Sequence, residues 1–249
     1  MWSSLVTALR FLTIIPVPAR WAAPHYDAKP DLSLLFYPLV GLLLGLLLLG
    51  VCVFSGIFSP ALQALFVVMV WVLLTGGLHL DGVADSADAW LGGHGDRERT
   101  LAILRDTSVG VAAVLALILT LALKVLLLAE LMDLKLQAIV IAPIIGRSMV
   151  LLLFNTTAYV RGQGIASTLI ASLPRQRINL ILFALMIIVI GVLSLDGLLM
   201  LFCVLVGFLV LRYLMVRRLG GTTGDTAGAL IEFGEILVLF GLVLAEKLL

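Results

Sequence analysis

Charge is what this chain has least of. Only 12% of its 249 residues are Asp, Glu, Lys or Arg, where an ordinary soluble domain carries roughly a quarter, so a water-surrounded globule is excluded. Cysteine and histidine are scarce, at two and three residues. Cys52 and Cys203 both fall inside apolar runs, which excludes a disulfide framework or a paired metal site and leaves redox chemistry unsupported. The net charge is +1 and no basic cluster is interleaved with aromatics, so no nucleic-acid partner is expected. G-x-S-x-G, H-E-x-x-H and G-x-x-x-x-G-K-[ST] are missing, and serine hydrolase, zinc protease and P-loop ATPase are therefore unsupported. No linker rich in Pro, Gly and Ser and no convincing repeat divides the chain. Residues 1–249 read as a single membrane-embedded domain.

What fills the chain instead is apolar. The sequence is 62% hydrophobic with a mean hydropathy of +1.22. Runs long enough to cross ~30 Å of hydrocarbon lie near 32–58, 61–78, 109–132, 136–154, 178–195, 198–216 and 226–246. The expected fold class is all-α, a polytopic membrane protein of about seven transmembrane helices. The start, MWSSLVTALRFLTIIPVPARW, has Arg10 inside a short apolar stretch that Pro16 and Pro18 end. It reads as a short amphipathic segment lying at the membrane surface. Lys and Arg are retained on the cytoplasmic side. With the N-terminus inside, that side holds Arg10, Arg20, Lys29, Arg97, Arg99, Arg105, Arg161, Arg175, Arg177, Arg212, Arg217 and Arg218, against Lys135 and Lys247 outside. Two connections, 79–108 and 155–177, are longer than crossing requires.

The first polar constellation is HLDGVADSADAW, His79 to Trp90. At about 100° per residue, Asp81, Asp85 and Asp88 share one stripe if the segment is helical. An aspartate at the bilayer centre costs ~2.5–3.5 kcal/mol on insertion scales, and three on one stripe repel one another, so something positive should face them. Oxygen-only ligands suit Mg²⁺ or Mn²⁺, and Gly82, Ala84, Ala87 and Ala89 leave room beside them. The chemistry suggested is a divalent-metal site that grips a diphosphate; the bland alternative is a wet helix end. His79 points about 200° from Asp81 and reads as a packing or capping residue.

The second is GGTTGDTAGALIEFGE, Gly220 to Glu235. Its glycines permit positive φ, and Thr222, Thr223 and Asp225 can cap the helix that follows. The backbone N–H groups of such a start, around Thr223 and Gly224, are ready to bind phosphate. Glu232 and Glu235 lie within the last span, where an acid is a functional-site hypothesis by default; pairing to a buried cation such as Arg147 is the alternative. Arg147, mid-span, needs an anion, either these acids or a substrate phosphate. Lys124 reads equally well as a lysine that snorkels outward. Arg105 and Asp106 either orient a phosphate or anchor the interface.

These residues point to a membrane-embedded, Mg²⁺-dependent enzyme that cleaves a diphosphate from the cytoplasmic side. An ion-coupled transporter using Glu232, Glu235 and Arg147 is the other class, but the acids cluster toward one face and no second half repeats the plan.

G-L-H-L-D-G-x-A-D-x-x-D from Gly77, R-D-x-x-x-G from Arg105, Lys124, Arg147 and G-G-x-T-G-D-x-x-G-A-x-x-E-x-x-E from Gly220 resemble the cobalamin synthase family, the adenosylcobinamide-GDP ribazoletransferases. The resemblance runs from T-x-x-P-V-P at Thr13–Pro18 nearly to the end. Family members usually carry Gly where this chain has Ala89, and often Gln where it has Thr222. The resemblance implies a multi-pass protein of the bacterial inner membrane acting in the last stage of coenzyme B₁₂ assembly. A hydroxyl of α-ribazole, or of its 5′-phosphate, would attack the cobinamide-side phosphorus of adenosylcobinamide-GDP with Mg²⁺, and GMP would leave. It further implies metal and base roles for Asp81, Asp85 and Asp88, a second metal or acceptor site at Asp225, Glu232 and Glu235, and phosphate contacts for Arg105 and Arg147. CDP-alcohol phosphotransferases also use a D-G helix, but Leu78 stands where their first Asp belongs and Asp85 where their Ala does. A UbiA-like prenyltransferase would need two aspartate-rich motifs that are only loosely echoed. A homodimer is compatible with the sequence but read from no residue.

Overall fold

Helices begin where glycine, proline or a polar cap interrupts the apolar runs, and the computed structural model follows those interruptions closely. It describes residues 1–18, 21, 32–160, 170 and 173–249. Arg20, Lys29 and Arg161, counted above for orientation, lie outside the described residues.

The helices are α1 (Trp2–Leu12), α2 (Tyr37–Phe54) with a 3₁₀ turn before it at Ser33–Phe36, α3 (Pro60–Thr75), α4 (Leu78–Gly92), α5 (Arg97–Ile103), α6 (Val111–Leu131), α7 (Ala138–Thr156), α8 (Arg175–Leu193), α9 (Leu195–Leu219) and α10 (Gly224–Leu248). Among the described residues six segments are long and apolar enough to cross a membrane: the 3₁₀ turn with α2, then α6, α7, α8, α9 and α10. The seventh expected span is different in kind. It ends at Thr75, where Gly76 and Gly77 both take positive φ, a conformation that glycine adopts without steric cost. The chain then turns by 89° into α4. The protein is a polytopic helical membrane protein with six or seven spans. The segment expected as a connection from residue 79 is itself helical, because Gly82, Val83, Ala84 and Ala89 give it a buried face that hydropathy alone does not register.

Small residues set the packing at the centre. A Cβ on Gly41 would collide with the Pro143 carbonyl and one on Gly45 with Val140, so α2 lies close on α7. Gly146 fits under Ile231 and Glu235, and Gly234 against Met149, which does the same for α7 and α10. Close approach of this kind drives helix association where lipid removes the hydrophobic incentive. α7 and α10 are the inner pair, while α8 and α9 turn Phe183, Phe202 and many Leu side chains outward.

Ion pairs sort the ends of the bundle. Lys135, after α6, pairs with Asp196 at 2.6 Å and Glu246 at 2.9 Å, bringing the α6–α7 turn, the start of α9 and the end of α10 together. At the other end Arg97 donates to the Leu219 carbonyl at 2.7 Å, and Arg218 donates to Trp90 O at 2.5 Å and Thr100 Oγ at 3.0 Å. The chain after α1 belongs to this second end too, with Ile14 N–H donating to Leu74 O at 2.9 Å. The first of these ends holds Lys135 and Lys247 and the other holds Arg97 and Arg218, as the Lys/Arg count anticipates.

Candidate active site

Asp81 lies exposed in the first turn of α4, and Asp225 lies half-buried in the first turn of α10. The two helix starts approach closely because Gly82 has no side chain: a Cβ there would strike the Asp225 carbonyl and approach Ala229 N at 3.1 Å. Gly228 lies correspondingly close to the backbone of His79. Asp81 and Asp225 consequently line one cavity of about 220 Å³ at the end of the bundle where α1 meets α10. Its remaining wall is mostly apolar, built from Phe11, Leu12, Leu34, Val150, Phe154 and Ile231 among others. A second cavity of about 620 Å³, bordered by Arg10, Val109 and Leu121, shares Asp81. Asp81 thus stands at the boundary between two spaces.

The remaining α4 aspartates differ from it. Asp85 is half-buried one turn on. Asp88 faces the start of α6, where its two oxygens accept from Gly110 N–H at 2.6 Å and Ala113 N–H at 3.0 Å. It caps a helix 22 residues further along the chain, satisfying donors that a helix start otherwise leaves open. Asp88→Ala is expected to cost about 1–2 kcal/mol and to lower the melting temperature in detergent; an unchanged melt would contradict the cap.

The start of α10 is held from both sides. Thr222 N–H donates to Ala158 O at 2.9 Å, and Val160 N–H donates to Thr222 O at 3.0 Å. Thr223 accepts from Thr226 N–H while Thr223 N–H donates to Thr226 Oγ at 2.9 Å, a reciprocal capping box. Thr223, expected at a phosphate, is fully buried in this cap, whereas Gly224 is exposed and lines the cavity.

Glu232 and Glu235 lie two to three turns deeper, about 10 and about 15 Å along the helix from Asp225. The Lys124 ammonium sits 2.5 Å from each of them and over the Trp71 ring at 4.5 Å from its centroid. Glu235 also pairs with Arg147. All four side chains are buried, Lys124 at 2% exposure and Arg147 at none. The outward-snorkelling reading of Lys124 is overturned: α6 faces Thr120, Lys124 and Leu128 inward along one stripe. The signal was present in the charge count, since two intramembrane acids three residues apart need two cations and Arg147 supplies one. Of the three carboxylates expected at a second metal, Glu232 and Glu235 are engaged by this quartet, whereas Asp225 lines the cavity.

Arg105 and Asp106 are both exposed and line neither cavity. Asp106 accepts from Ser108 Oγ at 2.7 Å and its N–H at 3.0 Å; these bonds, the hydroxyl first, hold its carboxyl below the usual range. The pair shapes the turn into α6.

Among the described residues no three His, Cys, Asp or Glu side chains gather closely enough to hold a metal ion by themselves. Mg²⁺ does not need three. It usually keeps several waters and takes one or two carboxylates together with substrate phosphates, and Asp81 with Asp225 on one cavity wall fits that pattern.

The chain matches the family model described as cobalamin-5-phosphate synthase over residues 4–243. It is 50% identical over 242 residues to the adenosylcobinamide-GDP ribazoletransferase of Stutzerimonas stutzeri strain A1501, covering 96% of this chain and 97% of that one. The protein of the same name from Pseudomonas fluorescens strain Pf0-1 is 46% identical over 238 residues, covering 95% and 97%. No solved structure matches.

Proposed function

Because this chain belongs to the cobalamin-5-phosphate synthase family, we propose that it joins adenosylcobinamide-GDP to α-ribazole or α-ribazole 5′-phosphate in a Mg²⁺-dependent reaction. The products are GMP and adenosylcobalamin or its 5′-phosphate. The observation that carries this reading is the meeting of Asp81 and Asp225, one from each polar motif, on a single cavity.

Asp81 and Asp225 would hold the ion, with Asp85 one turn behind Asp81. Mg²⁺ bound there would neutralise the diphosphate and make GMP a better leaving group. Gly224, exposed at the start of α10, lets a phosphate oxygen approach the helix backbone. The acceptor hydroxyl oxygen forms a bond to the cobinamide-side phosphorus, the bond from that phosphorus to the bridging oxygen breaks, and the hydroxyl proton passes to a carboxylate of this set. The apolar wall keeps water from competing as the nucleophile. Arg10, Arg97 and Arg218 gather at the cavity end, which supports a cytoplasm-facing site in the bacterial inner membrane.

The test is GMP release by detergent-purified protein given adenosylcobinamide-GDP and Mg²⁺, with α-ribazole or its 5′-phosphate. GMP and a cobalamin product should form in equal amounts and stop on chelation. Absence of product from folded protein with either acceptor would reject the assignment.

A further inference from the structure

His79 is a polar side chain that the mechanism above leaves unused. It is 2% exposed, it lines the 220 Å³ cavity, and both of its ring nitrogens lack a hydrogen-bond partner. A buried polar atom without a partner costs free energy comparable to a lost hydrogen bond, and a ligand in the cavity that His79 lines can supply one. The sequence suggested a packing or capping residue, but a capping residue would have its nitrogen bonded to backbone.

The cavity specifies what kind of ligand this is. Its wall is apolar and includes Phe11, Tyr37 and Phe154, with Phe11 and Tyr37 stacked at 6.5 Å between centroids. Its polar lining comes from Asp81, Asp225 and His79. Such a site takes a flat, apolar ring system with a polar tail. A neutral imidazole presents one N–H donor and one bare nitrogen acceptor, which asks for a ring carrying a hydrogen-bond acceptor. The larger cavity, bordered by the Arg10 guanidinium, suits charged groups better.

Resting on the transferase reading above, we infer that the 220 Å³ cavity is the acceptor subsite and that His79 reads the acceptor's base. α-Ribazole is the riboside of a dimethylated benzimidazole, a flat apolar bicycle with one unsubstituted ring nitrogen. With the imidazole turned toward the cavity, that nitrogen accepts the His79 N–H while the ring lies against the aromatic wall. The ribose then extends toward Asp81 and Asp225, which brings its hydroxyl to the diphosphate. His79 is thereby a specificity residue: it distinguishes a benzimidazole from a ring of the same shape that has no acceptor. A lipid chain occupying the same cavity would confer no such selectivity.

The experiment compares α-ribazole with the matching α-riboside of dimethylindole, in which C–H replaces the ring nitrogen, in wild type, His79→Leu and His79→Gln. Wild type should favour α-ribazole by at least about tenfold in kcat/KM, because a site built to bond a polar atom rejects the analogue lacking it. His79→Leu should bring that ratio close to one, raise the KM for α-ribazole and leave the KM for adenosylcobinamide-GDP unmoved. His79→Gln, which retains an N–H donor, should recover part of the ratio. A wild type that uses both ribosides equally well would overturn the inference without any variant having to fold. So would a His79→Leu enzyme that keeps its preference, or one whose KM rises for the cobinamide substrate instead. In those cases GMP release from α-ribazole still stands, whereas no turnover of either riboside or of the 5′-phosphate removes the transferase reading itself.

Discussion

Lys124→Met should lower the stability of the protein more than any surface change. The substitution is close in volume, so packing is largely retained. What it removes is the ammonium 2.5 Å from both Glu232 and Glu235, leaving two adjacent buried carboxylates with Arg147 alone. Breaking a buried pair by deleting one partner costs roughly 3–5 kcal/mol, which for a chain of this size corresponds to a fall in melting temperature on the order of 10 °C. Pairing it with Glu232→Gln restores charge balance, with Arg147 still opposite Glu235, and should recover most of the loss. Thermal unfolding in detergent decides between this quartet and a lysine that snorkels to the interface: a Lys124→Met melt equal to wild type supports the latter.

Asp81→Asn should have the opposite profile. Asp81 is exposed and its change is nearly isosteric, so the melt should stay within about 0.5 kcal/mol of wild type. Turnover should fall at least about 100-fold, the scale associated with losing a charged group that acts directly on the reacting centre. GMP release and the melt measured on one preparation separate the two effects. Asp81→Asn with near-normal turnover would remove it from the site.

Most of the architecture is legible in the apolar runs because a crossing helix needs a length that little else in a chain imitates. The departure is at Gly76 and Gly77, where positive φ ends α3 and turns the chain into α4. Hydropathy reads α4 as a polar connection, since its aspartates outweigh the buried face made by Gly82, Val83 and Ala84. The Asp81–Asp85–Asp88 stripe follows from helical periodicity, but periodicity does not say what each residue faces. Asp88 meets the start of α6 and Asp81 meets a cavity, a difference set by neighbouring helices. Lys124 and His79 show the same limit from the other side. Each is a lone polar residue on an apolar helix face, and burial against a distant partner, or beside a cavity, appears only once the helices are packed.

The proposed reaction requires Asp225 to work with Asp81 across the cavity, ten residues before the last acid of the ion quartet. The most direct measurement is the Mg²⁺ dependence of GMP release by Asp225→Asn beside wild type, each checked for an unchanged melt. Folded Asp225→Asn protein should lose turnover or need at least about tenfold more Mg²⁺ for half-saturation. A variant with the same turnover and the same Mg²⁺ requirement as wild type would contradict it.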